Sequence, residues 1–286
     1  MMVIVGWLVA LACIFGAYIM IGGHVGVLMQ PSKFMMIFGG ALGATIAASN
    51  PHAFKHLLGG IASCFKGSKY NKKFYMELLA LLFDLMSKGR KEGLMALEAD
   101  IDDPKASPVF SKYPVIQKDH HVMDFITDYL RMMVGGNLNP LEMENLMDAE
   151  IETHLQEELH VAHTASKMSD ALPAFGIVAA VMGVVITMGS LHLPPEELGG
   201  LIAKALVGAF LGILLSYGFI APLGSILEDK AKESAKALQT VKVVLLASIN
   251  GFAPQVCVEF GRKVLFSNER PSFQELEEDI KSRKGK

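Results

Sequence analysis

Apolar positions along this chain fall into four long runs, Met1–Gly23, Phe34–Phe54, Ala171–Pro195 and Leu198–Leu227. None contains an acidic residue, and Lys204 is the only Lys or Arg inside any of them. Each is long enough to cross a hydrocarbon core, which needs about 20 apolar residues. The pattern predicts an all-α polytopic membrane protein with four transmembrane helices and a helical polar domain. The expected divisions are 1–54 (first two spans), 55–170 (polar domain), 171–227 (last two spans) and 228–286 (a polar C-terminal helix and tail).

Between the second and third runs the periodicity changes. Tyr75–Met86 (YMELLALLFDLM) and Asp119–Met133 (DHHVMDFITDYLRMM) place apolar residues at helical spacing. Asn139-Pro140 starts a further helix from about Leu141 to Lys167. The three prolines of Asp102–Pro114 predict a connecting loop. A helix is expected from Pro222 to about Ile249, and the charged end Asn268–Lys286 is expected to fray.

Charge sharpens this division. Residues 52–170 hold 18 acidic and 13 basic side chains, and residues 223–286 hold 9 and 11. The net charge of −3 offers no basic field for nucleic acid. The three cysteines, Cys13, Cys64 and Cys257, have no paired spacing, so neither a disulfide framework nor a zinc site is expected. Residues 1–23 lack the basic start and small-x-small cleavage site of a signal peptide and are read as a retained helix.

Short loops set orientation. The loop near His24–Lys33 carries one lysine and the turn Leu191–Leu198 none, whereas Lys55, Lys66, Lys69, Lys72 and Lys73 follow the second run. Lys230, Lys232, Lys236 and Lys242 follow the fourth. Both polar regions and both termini are therefore expected in the cytoplasm. Glycines recur in every span, which lets helices approach closely in lipid and suits oligomerisation as well as packing within one chain.

An ion-moving membrane protein usually keeps a carboxylate in the bilayer. This chain brings none, so a proton path would borrow its acid from another subunit. Arg90 and Glu98, in Gly89–Glu98 (GRKEGLMALE), would sit about 12 Å apart on one side of a continuous helix and offer opposite charges to a partner, though a solvated face explains the spacing as well. Asp100, Asp102 and Asp103 would crowd that helix's C-terminal end, where the dipole disfavours them. His154, Glu157, His160 and His163 lie at helical spacing, with His120-His121 the only nearby complement. Surface histidines explain them better than a metal site. Pro173 and Pro222 mark similar depths of the third and fourth spans, as helix ends or as paired kinks. Hydroxyls in the spans (Thr45, Thr187, Ser190, Ser216) are expected to bond their own helix backbone. No P-loop, GxSxG, GxGxxG or HExxH occurs, so an enzyme is not expected.

Gly89–Glu98, Leu172–Gly183 (LPAFGIVAAVMG), Val207–Leu214 (VGAFLGIL), Tyr217–Pro222 (YGFIAP) and Phe260–Phe273 (FGRKVLFSNERPSF) together resemble the MotA family of flagellar motor stator subunits over nearly the whole length. More loosely, the chain resembles the ExbB and TolQ proton-channel proteins. The resemblance implies a ring-forming inner-membrane subunit, five copies around two MotB chains, with MotB supplying the proton-carrying aspartate. It implies inward proton flow coupled to torque on the rotor protein FliG, with protons as the driving ion and no cofactor. It assigns rotor contact to Arg90, Glu98 and Glu150, and coupling to Pro173 and Pro222. Ala180, Thr187 and Ala209 would line the ion path. Ala180 stands where sodium-driven relatives tend to carry threonine, which favours protons. Ala209 departs from the hydroxyl residue of many relatives. An ExbB/TolQ-like subunit serving another envelope process, or a small-molecule transporter, is the alternative; the internal repeats and midplane polar sites of transporters are missing.

Overall fold

The computed structural model describes residues 2–136 and 139–284, and for 51–53 and 284 the backbone alone. Met1, at the head of the first run, and the last two residues of the tail lie outside the described residues. Thirteen α-helices account for most of the described chain: α1 Met2–Met20, α2 Val25–Leu28, α3 Pro31–Ala47, α4 Pro51–Cys64 and α5 Lys72–Glu92. Next come α6 Glu98–Asp102, α7 Pro114–Gln117, α8 His120–Gly135, α9 Pro140–Met188 and α10 Pro195–Ile213. The last three are α11 Ala221–Ile249, α12 Pro254–Val264 and α13 Phe273–Lys284. Short 3₁₀ turns cover Leu94–Leu97 and Phe110–Lys112, and Leu214–Ile220 is a π-helical stretch joining α10 to α11. No strand occurs among the described residues.

The chain divides into two compact units, Met1–Gly67 with Glu157–Lys230, and Ser68–Gln156 with Ala231–Lys286. α9 and α11 each contribute to both. Among the described residues, four helical segments are long and apolar enough to span a membrane.

In the first unit α1 has no fully buried residue: most of its apolar side chains point outward, while Val3 and Trp7 pack against the cluster around Leu57 and Leu223. α9 and α10 also present outward apolar faces, with Val185, Ile186 and Leu206 about as exposed as a surface lysine would be in water. Such a surface is stable only in lipid or against other apolar helices. Inside, contact is made by small residues. A methyl added at Gly176 would lie 2.9 Å from the Gly208 carbonyl oxygen, and one at Gly212 would lie 2.7 Å from that of Leu172. The backbones of α9 and α10 thus touch directly, the close approach that packing in lipid requires. Two small apolar clusters complete the unit: Ile37, Ala41, Leu172 and Ala179, and, separately, Leu57, Ala162, Ala165, Leu223 and Leu227.

The second unit is packed like a soluble domain. Its core is built from large side chains, among them Tyr75, Leu78, Leu81, Leu82, Phe110, Tyr113, Phe125 and Tyr129, all nearly sealed from solvent. Helix starts are capped. The Asn71 side chain accepts from the Phe74 N–H at 3.1 Å, and Asn139 and Glu142 exchange reciprocal bonds of 2.9 and 3.3 Å. Ser272 and Glu275 do the same at 3.1 and 2.7 Å, starting α13.

Several expectations from the sequence need correction. The second span ends at Ala47 rather than Phe54, because Ser49-Asn50 turns the chain and Pro51 opens α4. The helix expected to stop near Lys167 runs on to Met188 as α9, with Pro173 inside it. The tail forms α13, whose Ile280 and Leu276 enter the core. Most consequentially, Gly89–Glu98 is not one helix. α5 stops at Glu92, Gly93 takes φ +89°, and a 3₁₀ turn leads into α6. Only glycine adopts that backbone freely. Leu94 and Leu97 then fold back onto Gly89, where a methyl would meet both at 3.3 Å.

Candidate functional site

The rotor-contact candidates lie in the second unit. Arg90 is exposed in the last turn of α5, and Glu98 is exposed as the first residue of α6, beyond the Gly93 break. Among the described residues neither has an ion-pair partner. Glu150, exposed on α9, accepts a 2.7 Å hydrogen bond from the Tyr129 hydroxyl. Burial, with Glu150 as acceptor, pushes the Tyr129 phenol well above its ordinary value. Tyr129 therefore stays a donor, and Glu150 keeps its other oxygen for a partner.

The break that separates Arg90 from Glu98 is held from below. Asp100, expected to crowd an exposed helix end, is 2% exposed. It accepts from the Lys88 ammonium at 2.7 Å and from the Ser107 hydroxyl at 2.6 Å. Ser107 Oγ in turn accepts from the backbone N–H of Val109 and Phe110. The buried carboxylate thereby ties α5, α6 and the proline-rich loop into one piece. Sequence spacing could not assign this role, since the partners are 12 and 7 residues away on separate elements.

Ala180, Thr187 and Ala209 belong to the first unit, on α9 and α10. Ala180 faces the α10 backbone: a methyl at Gly208 would meet its amide nitrogen at 2.9 Å. Ala209, half-buried, follows Gly208. The Thr187 hydroxyl donates to the Gly183 carbonyl of its own helix at 2.9 Å, as do Thr45 to Ala41 and Ser190 to Ile186. Ser216 departs from that rule. Fully buried in the π-helical stretch, it pairs with the Ser169 hydroxyl of α9 at 2.9 Å.

Both prolines interrupt the helical hydrogen-bond ladder. Pro173 lies inside α9, where it removes the N–H that would bond the Ser169 carbonyl four residues earlier. Pro222 is the second residue of α11, immediately after the π-helical turn Leu214–Ile220. The widened turn accommodates a ring that cannot donate back into the ladder. Such stretches recur where helices bend or work. The Ser169–Ser216 pair thus joins the residue four before Pro173 to the turn preceding Pro222.

Lys33 was placed by its position in an outer loop. It stands instead in the first turn of α3, 7% exposed, with its ammonium donating to the Ala179 carbonyl of α9. Gly183 leaves it room, since a methyl there would come within 2.8 Å of the nitrogen. A long flexible stem hides such a placement from any hydropathy pattern.

Among the described residues no group of three or more His, Cys, Asp or Glu is placed to hold a metal ion. His154 is buried and shares a 2.7 Å hydrogen bond with Ser234, which also contacts the Tyr70 hydroxyl at 3.1 Å. The His121 ring lies 4.9 Å from that of His154. His160 and His163 are exposed.

Apolar helices of spanning length, two of them in direct backbone contact, define a polytopic helical membrane protein. Two family models match: Motility protein A N-terminal over residues 4–93, and the MotA/TolQ/ExbB proton channel family over residues 117–240. The chain is 51% identical to Motility protein A of Salmonella typhimurium over 99% of its length and 96% of that protein's. It is 50% identical to the Escherichia coli protein of the same name over the same shares, and 34% identical to Chemotaxis protein LafT of Vibrio parahaemolyticus over 98% of both. The chain belongs to the motility protein A family. Its fold matches the solved C. jejuni MotAB structure with a TM-score of 0.78 at 20% identity, covering 94% of this chain and 98% of that one. It also matches the MotAB stator complex of Bacillus subtilis, with a TM-score of 0.73 at 21% identity over the same shares. As a family member the chain is a flagellar stator subunit with a proton-channel-family domain in the inner membrane.

Proposed function

We propose that this subunit, assembled as a ring of five around two MotB chains, couples inward proton flow to torque on the rotor protein FliG. The observation that carries the rotor contact is the pair of exposed opposite charges, Arg90 and Glu98, without ion-pair partners among the described residues and set at a break braced by Asp100. The observation that favours a borrowed acid is that the four apolar runs contain no Asp or Glu. MotB-like partners would supply the carboxylate, and this chain the wall of small residues around Ala180 and Ala209. Protons as the driving ion are favoured by Ala180, which offers no hydroxyl to coordinate a metal cation. The positive residues after the second and fourth runs favour a cytoplasmic second unit and cytoplasmic termini.

A proton crossing 100 mV releases about 2.3 kcal/mol from the electrical term alone. Neutralising and recharging the partner's carboxylate changes the charge facing the wall. The hydrogen-bond interruptions at Pro173 and Pro222 would then let the spans follow it. Exposed pairs worth about 0–1 kcal/mol suit a contact that must form and release at every step. The test is the double reversal Arg90→Glu with Glu98→Lys. Swimming should be severely impaired while the purified ring keeps its mass and its partner. Unchanged swimming across a range of salt would refute the rotor contact.

A further inference from the structure

A cavity of about 360 Å³ opens beside Arg90, within the second unit, between α5, α8, α9 and the turn joining α11 to α12. Met133 and Met143 form its buried floor, at 8% and 2% exposure. Leu94, Met132 and Phe252 stand at its rim, each more than a third exposed. Its size is near the lower end of the roughly 300–1,000 Å³ range of small-molecule clefts. It admits one or two side chains, and nothing the size of a helix. Unbranched methionines let such a lining adapt to what enters.

We propose that this cavity receives an apolar side chain from a helix of the rotor partner, whose neighbouring carboxylate pairs with Arg90. This rests on the rotor-contact reading above and adds an apolar anchor to it. Charge complementarity selects the occupant. A guanidinium with no ion-pair partner among the described residues stands at the mouth of an apolar hole, so the matching element carries an acid and an apolar residue within one helical turn. The Gly93 break is what turns Leu94 from the line of α5 onto the cavity's rim. An anchor of this kind also answers a difficulty of a purely charged contact, which screening weakens at cellular salt. Partner specificity then comes from the hole and orientation from the charge.

The test uses the full-length chain assembled with its membrane partner in nanodiscs, and purified rotor protein. Binding is followed from about 0.05 M to about 1 M NaCl, where the screening length falls from over 10 Å to about 3 Å. Wild-type binding should keep a salt-resistant part. Leu94→Ser and Met132→Ser should weaken it about tenfold at both extremes, and Arg90→Glu only at low salt. Both serine positions are surface-exposed, and unchanged thermal unfolding confirms that they leave the fold intact. Serine variants that bind like wild type, with Arg90→Glu impaired, would overturn the anchor and leave the rotor contact standing. Binding unchanged in all three and in the Arg90/Glu98 double reversal would remove the rotor contact itself. Serine variants that change the assembly's mass or its bound lipid, with rotor binding intact, would assign the cavity to a second copy or an acyl chain and overturn the proposal.

Discussion

The two units of this chain are both helical, yet they are held together by opposite means. In the membrane unit the helices meet through glycine, with α9 and α10 in backbone contact at Gly176, Gly208 and Gly212, while large apolar side chains such as Val185 and Ile186 point outward. In the polar unit the large side chains point inward, and the buried Asp100 carboxylate is bonded at both oxygens. The surrounding solvent explains the inversion. Lipid gives no reward for burying an isoleucine, so packing area must come from close backbones. Water gives a large one, so the core fills with leucine and aromatic rings.

The sharpest way to break that comparison is truncation. Phe125→Ala in the polar unit should cost about 3–5 kcal/mol of stability, because a nearly sealed ring leaves a cavity. Val185→Ala on the outer face of α9 should leave the unfolding midpoint of the detergent-solubilised protein nearly unchanged. Equal losses at both sites would show that the two units are packed alike. The converse is addition. Gly212→Ala puts a methyl 2.7 Å from the Leu172 carbonyl oxygen and 2.8 Å from Gly176 Cα, both backbone atoms that cannot swing aside. Overpacking of this kind costs about 1–3 kcal/mol. Gly39→Ala, with open space around it, serves as the neutral control.

A smaller effect concerns charge. The Lys72 ammonium at 2.8 Å, with the bonds exchanged with Ser272, holds the Glu275 carboxyl down to about 2. A carboxyl depressed in the folded state stabilises it above its unfolded value of about 4.3, and that contribution is lost as pH falls toward 2. Corrected for intrinsic exchange, protection of the α13 amides should therefore decline from about pH 4 toward about pH 2 and level off below that. Protection that stays constant over that range would show that the link does not act. Glu275→Gln should remove the pH dependence.

Much of this was legible in the residues. Four acid-free runs announced the spans, and Asn139-Pro140 announced the start of α9. Ser272-x-x-Glu275 is an equally plain capping box, and it marks α13 in a tail whose charge suggested fraying. Arg90 and Lys91 followed by Gly93 is a helix stop, masked by a search for charges on one face. The continuity of α9 through Pro173 was not legible. In lipid a broken helix exposes more backbone than one missing N–H, so a proline is tolerated mid-span that would end a helix in water. Lys33 and Asp100 were hidden for a shared reason: their partners, Ala179, Lys88 and Ser107, are set by tertiary packing.

The central claim is that this polypeptide builds the wall and the lever, and that the titrating carboxylate arrives on another subunit. The direct measurement is proton flux into liposomes under an imposed potential of about 100 mV, an electrical drive of about 2.3 kcal/mol per charge. Vesicles holding this chain alone should be as tight as empty ones, and co-assembly with the proposed MotB partner should open a pathway that an Asp→Asn change at the proposed carboxylate of that partner closes. A steady leak through the chain by itself would contradict the claim.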